Sequence, residues 1–147
     1  MTALVFVDTN AMVYARDPAE RRKQQLAAHW IDELWAAGCG RLSAQVLSEY
    51  YNTVTRKLSP GLSAAEAAED IEALFAWDPV PVDVGILTAA FAIEDRYQLS
   101  WWDSLIVAAA QRAGCRYLLS EDFQAEQDFG GLTVVNPFEA DPAAVLA

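Results

Sequence analysis

Four acidic residues occupy positions from which carboxylates can act together. Asp8 ends one apolar run and Asp122 follows another, while Glu49 and Asp103 lie in the early turns of two predicted helices. Carboxylate oxygens are the ligands that Mg²⁺ prefers, with water and substrate phosphates completing its octahedral shell. A divalent cation held there would supply hydroxide for hydrolysis of a phosphodiester, and no protein nucleophile would be needed.

Each acid also has a simpler explanation. Asp8 is a plausible N-cap for the helix that follows it, and Asp103 would complete a capping box with Ser100. Asp122 fits a loop acid or a helix cap, and Glu49 fits a solvated helix residue. The neighbours of Glu49 are largely apolar, which weakens that last explanation. It is the combination of the four acids that favours a metal site.

Other catalytic chemistries have little support in the sequence. The single histidine, His29, lies inside a predicted helix without a partner motif. Cys39 and Cys115 match neither a metal-binding nor a redox spacing, and we expect them to be buried free thiols.

Apolar runs and capping signals predict alternating strands and helices. Strands are predicted at 4–7, 41–42, 80–82, 117–119 and 133–135, a short helix after Asp8, and longer helices at 20–37, 43 to about 57, 63 to about 75, 83–97 and 100–114. Regular structure is predicted to end at Asn136-Pro137. This order predicts an α/β fold, a three-layer α/β/α sandwich with a central, mainly parallel sheet, formed by a single domain over residues 1–147. Because ligands bind at the carboxyl ends of parallel strands, Asp8 and Asp122 should meet there.

Composition restricts the partners of the chain. Its net charge is −11, but residues 1–60 carry seven lysines and arginines against six acids, and the remainder carries three against fifteen. Any phosphate contact should therefore come mainly from the N-terminal part. The candidates are Arg16, Arg21, Arg22 and Lys23, although 21–23 equally fit a solubilising helix start. Without a 20-residue apolar run or a basic leader, we expect a cytoplasmic protein with no membrane partner.

The acidic motifs resemble those of the PIN-domain family. They are Val7-Asp8-Thr9-Asn10, the segment Ser43 to Tyr50 with Glu49, the segment Trp102 to Ala110 with Asp103, and Leu119-Ser120-Glu121-Asp122-Phe123. The closing Val134-Val135-Asn136-Pro137-Phe138 is similar to the end of VapC-type toxins. The resemblance extends over about residues 4 to 138.

The resemblance implies an endoribonuclease that uses Mg²⁺ or Mn²⁺. It also implies the toxin of a toxin–antitoxin pair, with RNA as substrate, an antitoxin as partner and a homodimer as the assembly. By motif position, Asp8, Glu49, Asp103 and Asp122 would be the catalytic metal ligands. Thr9, Asn10 and Ser120 would support them as polar groups, and Glu121 is an alternative to Asp122 as the fourth acid.

Other functions remain as alternatives. A haloacid-dehalogenase type phosphotransferase requires a second aspartate where this chain has Asn10, and a receiver domain requires an acidic pair that is missing. A PIN fold kept as a non-catalytic binding module, or a phosphohydrolase acting on another substrate, is also compatible with the chain. For Trp101-Trp102, core packing or a dimer seam is favoured over stacking on a base.

Overall fold

Four short strands form one parallel sheet in the computed structural model, which describes residues 2–146. The strands are β1 (Val5–Val7), β2 (Gly40–Arg41), β3 (Tyr117–Leu119) and β4 (Thr133–Val135), in the spatial order β2-β1-β3-β4. Every pairing in the sheet is parallel. The predicted α/β fold with a central parallel sheet is therefore confirmed.

Helices connect the strands and flank the sheet. They are α1 (Thr9–Tyr14), α2 (Arg21–Ala37), α3 (Ala44–Arg56), α4 (Ala64–Leu74), α5 (Val84–Tyr97), α6 (Trp101–Arg112) and α7 (Pro142–Leu146), with a 3₁₀ turn at Phe75–Trp77 after α4. None of the helices in residues 2–146 is long and apolar enough to span a membrane.

The position of β1 in the sheet places the first acid. Val5, Phe6 and Val7 are completely buried and pair with strands on both sides, as a continuous apolar run predicts for a central parallel strand. The backbone N–H of Asp8 donates to Leu119 O over 3.0 Å. The carboxyl ends of β1 and β3 are therefore direct neighbours, and the loops that follow them open at the same edge of the sheet.

Serine caps fix the helices that carry the other two acids. The buried Ser43 side chain accepts a hydrogen bond from Val46 N (3.3 Å) at the start of α3. Ser100 accepts one from Asp103 N (3.1 Å) at the start of α6. Both caps were predicted from the sequence, because a serine hydroxyl satisfies an N–H that the first helical turn leaves without a partner.

Two predictions about regular structure were wrong. Residues 80–82 form no strand: only Val80 makes an isolated parallel bridge, to Ser43, and Pro81 has no N–H with which to extend it. Regular structure also continues beyond Asn136-Pro137, since α7 follows. The indole N–H of the buried Trp30 donates to Ala140 O (3.0 Å), so this C-terminal segment is attached to α2.

The predicted buried thiols are confirmed. Cys39 and Cys115 are both free and both buried, and each precedes a strand of the sheet. Burial raises the pKa of the Cys115 thiol to about 12 and also raises that of Cys39. Both thiols are therefore expected to be unreactive packing groups.

Candidate active site

Asp8 lies at the centre of the candidate site and is almost fully buried, with 6% of its surface exposed. One carboxylate oxygen, Oδ1, accepts a hydrogen bond from Thr9 N (2.7 Å), which makes Asp8 the N-cap of α1. The other, Oδ2, accepts from the buried hydroxyl of Ser120 over 2.8 Å. Asp8 is therefore a helix cap and a member of an acidic site at the same time, so the two interpretations of the sequence do not exclude each other.

Asn10 links the two acids at the ends of β1 and β3. Its side-chain Nδ2 donates to Asp8 Oδ2 and to Asp122 Oδ2, at 3.2 Å in both cases, and lies 3.0 Å from Ser120 Oγ. Its Oδ1 accepts from the backbone N–H of Glu121 over 3.1 Å. One amide therefore holds both carboxylates and the loop between β3 and Asp122.

Ser120 has a similar bridging position. Its hydroxyl donates to Asp8 Oδ2 and accepts the backbone N–H of Asp122 over 3.1 Å. The predicted supporting residues Asn10 and Ser120 thus lie between the two acids, with every hydrogen bond directed at a carboxylate or at the loop that carries one.

Glu49 reaches the site from α3. Thr9 Oγ1 donates to Glu49 Oε1 over 2.9 Å, so the third predicted supporting residue contacts the acid on the neighbouring helix. Gln45, one turn earlier on α3, is 3.5 Å from the same oxygen and 3.4 Å from Trp102 O. Gln45 thereby joins α3 to the first turn of α6, which carries Asp103.

Asp103 is close enough to Asp8 and Asp122 for their charges to interact. It is half-buried, and desolvation raises the pKa of its carboxyl, with a further increase from the negative charge of Asp122. The hydrogen bond with Ser100 opposes this shift.

The pKa of the Asp8 carboxyl is also raised, mainly by burial. Its pKa rises from an ordinary 3.8 to about 7, chiefly because burial penalises the ionised carboxylate. Hydrogen bonds from Ser120 and Thr9 oppose the increase, and the charges of Asp122 and Asp103 add to it. A buried carboxyl that is half protonated near neutrality is typical of functional sites.

The four carboxylates do not form a closed cage. Across residues 2–146, no three acidic, histidine or cysteine side chains are grouped closely enough to hold a metal ion by themselves. The site offers oxygen ligands only, and two of them, from Asp8 and Asp122, lie 3.2 Å from one nitrogen. This donor set suits Mg²⁺, which usually takes one or two carboxylates and keeps several waters.

Three of the four basic residues that the sequence predicts to contact phosphate bind other parts of the chain instead. Lys23 pairs with Glu121 and lies 4.8 Å from the centroid of the Tyr14 ring. Glu121 is thus engaged by Lys23. Arg22 donates to the carbonyl oxygen of Phe138 over 3.2 Å.

Arg16 forms an ion pair with Asp70, at 2.6 and 3.0 Å, in a separate groove that none of the four acids lines. The hydroxyl of Tyr50 donates to the same carboxylate over 2.5 Å. Arg21 is exposed at the start of α2.

A cleft of about 540 Å³ opens beside the acids, between α1 and α3. Its lining consists of Thr9, Asn10, Val13, Tyr14, Asp17, Glu49, Asn52, Thr53, Lys57 and Asp122. The lining residues of α3, together with its C-cap Lys57, occupy positions i, i+3, i+4 and i+8 counted from Glu49, which is one face of a helix. This spacing was visible in the sequence, but nothing there showed that the face opens into a cleft.

Three solved structures with a similar fold are distant from this chain in sequence. A toxin–antitoxin complex from Klebsiella pneumoniae is 18% identical with a TM-score of 0.63, over 92% of this chain and 99% of that one. VapC20 of Mycobacterium tuberculosis, a toxin that cleaves the sarcin-ricin loop, is 22% identical with a TM-score of 0.61, over 80% and 91%. VapBC2 of Rickettsia felis, bound to a fragment of its promoter DNA, is 14% identical with a TM-score of 0.60, over 90% and 98%. At these identities the likeness establishes the fold.

Family membership follows from the sequence itself. No curated protein sequence matches this chain significantly. The sequence model of the PIN domain, however, matches residues 5–127, a range that includes all four acids and the three polar residues between them. The chain belongs to the PIN domain family.

Proposed function

We propose that this protein is an endoribonuclease that depends on Mg²⁺ or Mn²⁺ and serves as the toxin of a toxin–antitoxin pair. The observation that carries the proposal is the network in which the amide of Asn10 joins Asp8 to Asp122. Glu49 is linked to these two acids by the hydrogen bond that it accepts from Thr9, and the negative charge of Asp103 acts on Asp8. The RNA-cleaving neighbour VapC20 supports the choice of substrate, and an RNA substrate implies a cytoplasmic site of action.

In this proposal Asp8 and Asp122 would hold the cation, and Glu49 and Asp103 would contribute directly or through water. When bound, the ion supplies a hydroxide at neutral pH and stabilises the negative charge that develops on the phosphate oxygens. The residues of the chain hold and orient these groups. Asn10 and Ser120 donate hydrogen bonds that fix Asp8, and the contact from Glu121 N to Asn10 fixes the backbone before Asp122.

Asp8 would release a proton to solvent when a cation binds. With a pKa of about 7, Asp8 is partly protonated at neutral pH, and a carboxylate must be ionised to bind a metal. Cation binding and loss of this proton are therefore coupled. The single histidine lies in a groove next to Pro137 and Phe138, away from the acids, so the proposed hydrolysis uses no histidine.

The alternative of a non-catalytic binding module lacks a supporting observation. Two carboxylates that share one amide, with a third charge nearby, reduce the stability of the protein when no cation is bound. A binding module would have no physical reason to keep such an arrangement. The alternative of a phosphohydrolase acting on another substrate shares the chemistry and differs only in what the site accepts.

The proposal is tested by incubating the purified protein with labelled RNA. We expect cleavage with Mg²⁺ or Mn²⁺ and none after treatment with EDTA, with activity restored when the cation is added back. Cleavage that continues in excess EDTA would rule out the metal-dependent mechanism.

An antitoxin partner is proposed because one structural neighbour is a toxin–antitoxin complex. We infer that an antitoxin segment places an arginine or lysine among the four acids, since a guanidinium pairs well with carboxylates. Neutralising the four acids should then weaken the complex. An antitoxin that binds the neutralised protein equally well would exclude this mode of inhibition.

A homodimer is proposed on the basis of an exposed apolar surface on α5 and α6. Val84, Phe91 and Trp102 expose 78%, 62% and 63% of their surfaces, and Leu87 contributes 37%. Val84, Leu87 and Phe91 follow helical spacing on one face of α5. Trp101 is half-buried against Phe91, with 5.2 Å between ring centroids, so core packing explains Trp101 but not Trp102.

Replacing Phe91 with glutamate should separate the dimer, because a charge would be buried at the interface. We expect light scattering after size exclusion to give the dimer mass for the wild type and the monomer mass for Phe91→Glu. Thr88→Glu adds the same charge at the residue that follows Leu87 on α5. Its mass shows whether the interface includes that position. A wild-type protein that is monomeric at high concentration would contradict the proposal.

A further inference from the structure

The cleft between α1 and α3 has the features of a substrate subsite. It begins at the acids, since Asn10, Glu49 and Asp122 form one end of it, and it extends along α3 as far as Lys57. At 1.5 Å per residue, Lys57 lies about 12 Å along the helix axis from Glu49. The volume of about 540 Å³ is within the range of pockets that hold small ligands, and it is large enough for a nucleotide.

We propose that this cleft binds the RNA nucleotide next to the bond that is cleaved, with Lys57 as the residue that contacts its phosphate. This inference rests on the proposed ribonuclease function and assigns a role to a residue that neither the family motif nor the N-terminal basic run includes. The ligand class is a single-stranded ribonucleotide segment. Its phosphates can contact Lys57, and its exposed polar groups can form hydrogen bonds with the Asn52 amide and the Thr53 hydroxyl on the same side of the cleft.

Lys57 is positioned to contact a phosphate in this cleft. It is exposed, it lines the cleft, and within residues 2–146 it takes part in no ion pair. By contrast, Arg16 and Lys23 are both paired with acids of the chain. Lys57 is also the C-cap of α3, where the helix dipole stabilises a positive charge.

Lys57 is important for substrate binding because the other charged residues that line the cleft are acidic. Asp17, Glu49 and Asp122 line the cleft, and their negative charges repel a phosphate backbone. Asn52 and Thr53 lie one turn before Lys57 and offer an amide and a hydroxyl for hydrogen bonds to sugar or base. A substrate therefore obtains its electrostatic attraction from a bound cation at one end of the cleft and from Lys57 at the other.

The test compares Lys57→Ala with Arg116→Ala, which removes the same charge from the opposite end of the sheet, before β3. Binding of a short fluorescein-labelled single-stranded RNA of mixed sequence is measured by anisotropy in EDTA over a series of salt concentrations. We expect Lys57→Ala to weaken binding roughly tenfold at low salt. The slope of log K against log salt should become shallower by about 0.7, the value for one phosphate contact.

Cleavage kinetics complete the test. Lys57→Ala should raise KM while kcat stays within about twofold, Lys57→Arg should restore most of the affinity, and Arg116→Ala should behave as the wild type. Equal losses in Lys57→Ala and Arg116→Ala would overturn the subsite, because the effect would then be one of net charge alone. An Mg²⁺-dependent wild-type nuclease that is unaffected by Lys57→Ala would also overturn it and leave the proposed function intact. A wild type that binds RNA through Lys57 but never cleaves it would contradict the nuclease, and it would leave Lys57 only as an RNA contact of the cleft.

Discussion

Replacing Asp8 with asparagine is expected to lower the rate of RNA cleavage by at least a hundredfold, and Asp103→Asn is expected to do the same. Asparagine keeps the shape and the N-cap hydrogen bond of Asp8 but removes a charge that the cation requires. Loss of a residue that merely supports a metal ligand typically costs about 10–100-fold, and loss of a ligand should exceed this. Initial rates with labelled RNA at saturating Mg²⁺ measure the effect.

The matched control is Asp95→Asn, which neutralises an exposed acid on α5, outside the candidate site. Its rate should equal that of the wild type. Circular dichroism should show the same helix content for all variants, so that a lost activity is not attributed to unfolding. An Asp8→Asn protein that is folded and retains more than about a tenth of the wild-type activity would exclude Asp8 as a metal ligand.

The second large effect concerns stability in the absence of metal. Asp8 has a pKa of about 7 in the folded protein and an ordinary value of 3.8 when unfolded, so folding favours its protonated form. This contribution to stability is complete below about pH 4 and is lost as the pH rises through 7. The metal-free wild type should therefore lose a few kcal/mol of stability between pH 4 and pH 8, at about 1.36 kcal/mol per pKa unit. Asp8→Asn should lack this loss and be more stable than the wild type at pH 8.

Added Mg²⁺ should offset part of this loss, and it should do so in the wild type only. For an assumed Kd of about 1 mM and roughly 10 mM Mg²⁺, the stabilisation is about 1.4 kcal/mol, or roughly 3–5 °C in Tm for a domain of this size. Thermal unfolding at pH 8 with EDTA, Mg²⁺ or Ca²⁺ measures both effects in wild type, Asp8→Asn and Asp103→Asn. If both variants are less stable than the wild type without metal, and no ion shifts the Tm of the wild type, then these acids are only helix caps.

Local sequence rules predicted the parts of this site that depend on short-range structure. Asp8 and Asp122 meet because each follows a strand of a parallel sheet, and both strands were recognisable as apolar runs. Ser43 and Ser100 were recognisable as helix caps because capping depends on residues only three positions apart in the sequence. The presence of Glu49 and Asp103 in the set came from the resemblance to PIN domains.

Long-range contacts could not be predicted in this way. Lys23 pairs with Glu121, 98 positions away, and Arg16 pairs with Asp70, 54 positions away. Neither pair leaves a periodic signal in the sequence, so Arg16 and Lys23 looked like free cations. The bridging role of Asn10 likewise depends on β1 and β3 being neighbours, and the cleft that ends at Lys57 depends on the packing of α1 against α3.

Anomalous diffraction from crystals grown with Mn²⁺ tests the central claim most directly. We predict one strong anomalous peak in contact with the carboxylates of Asp8 and Asp122, with Glu49 and Asp103 bound to the same ion or to its waters. Crystals of Asp8→Asn grown in the same way should lack this peak. A wild-type crystal at millimolar Mn²⁺ with no peak among these four acids, or with its only peak elsewhere on the protein, would contradict the account.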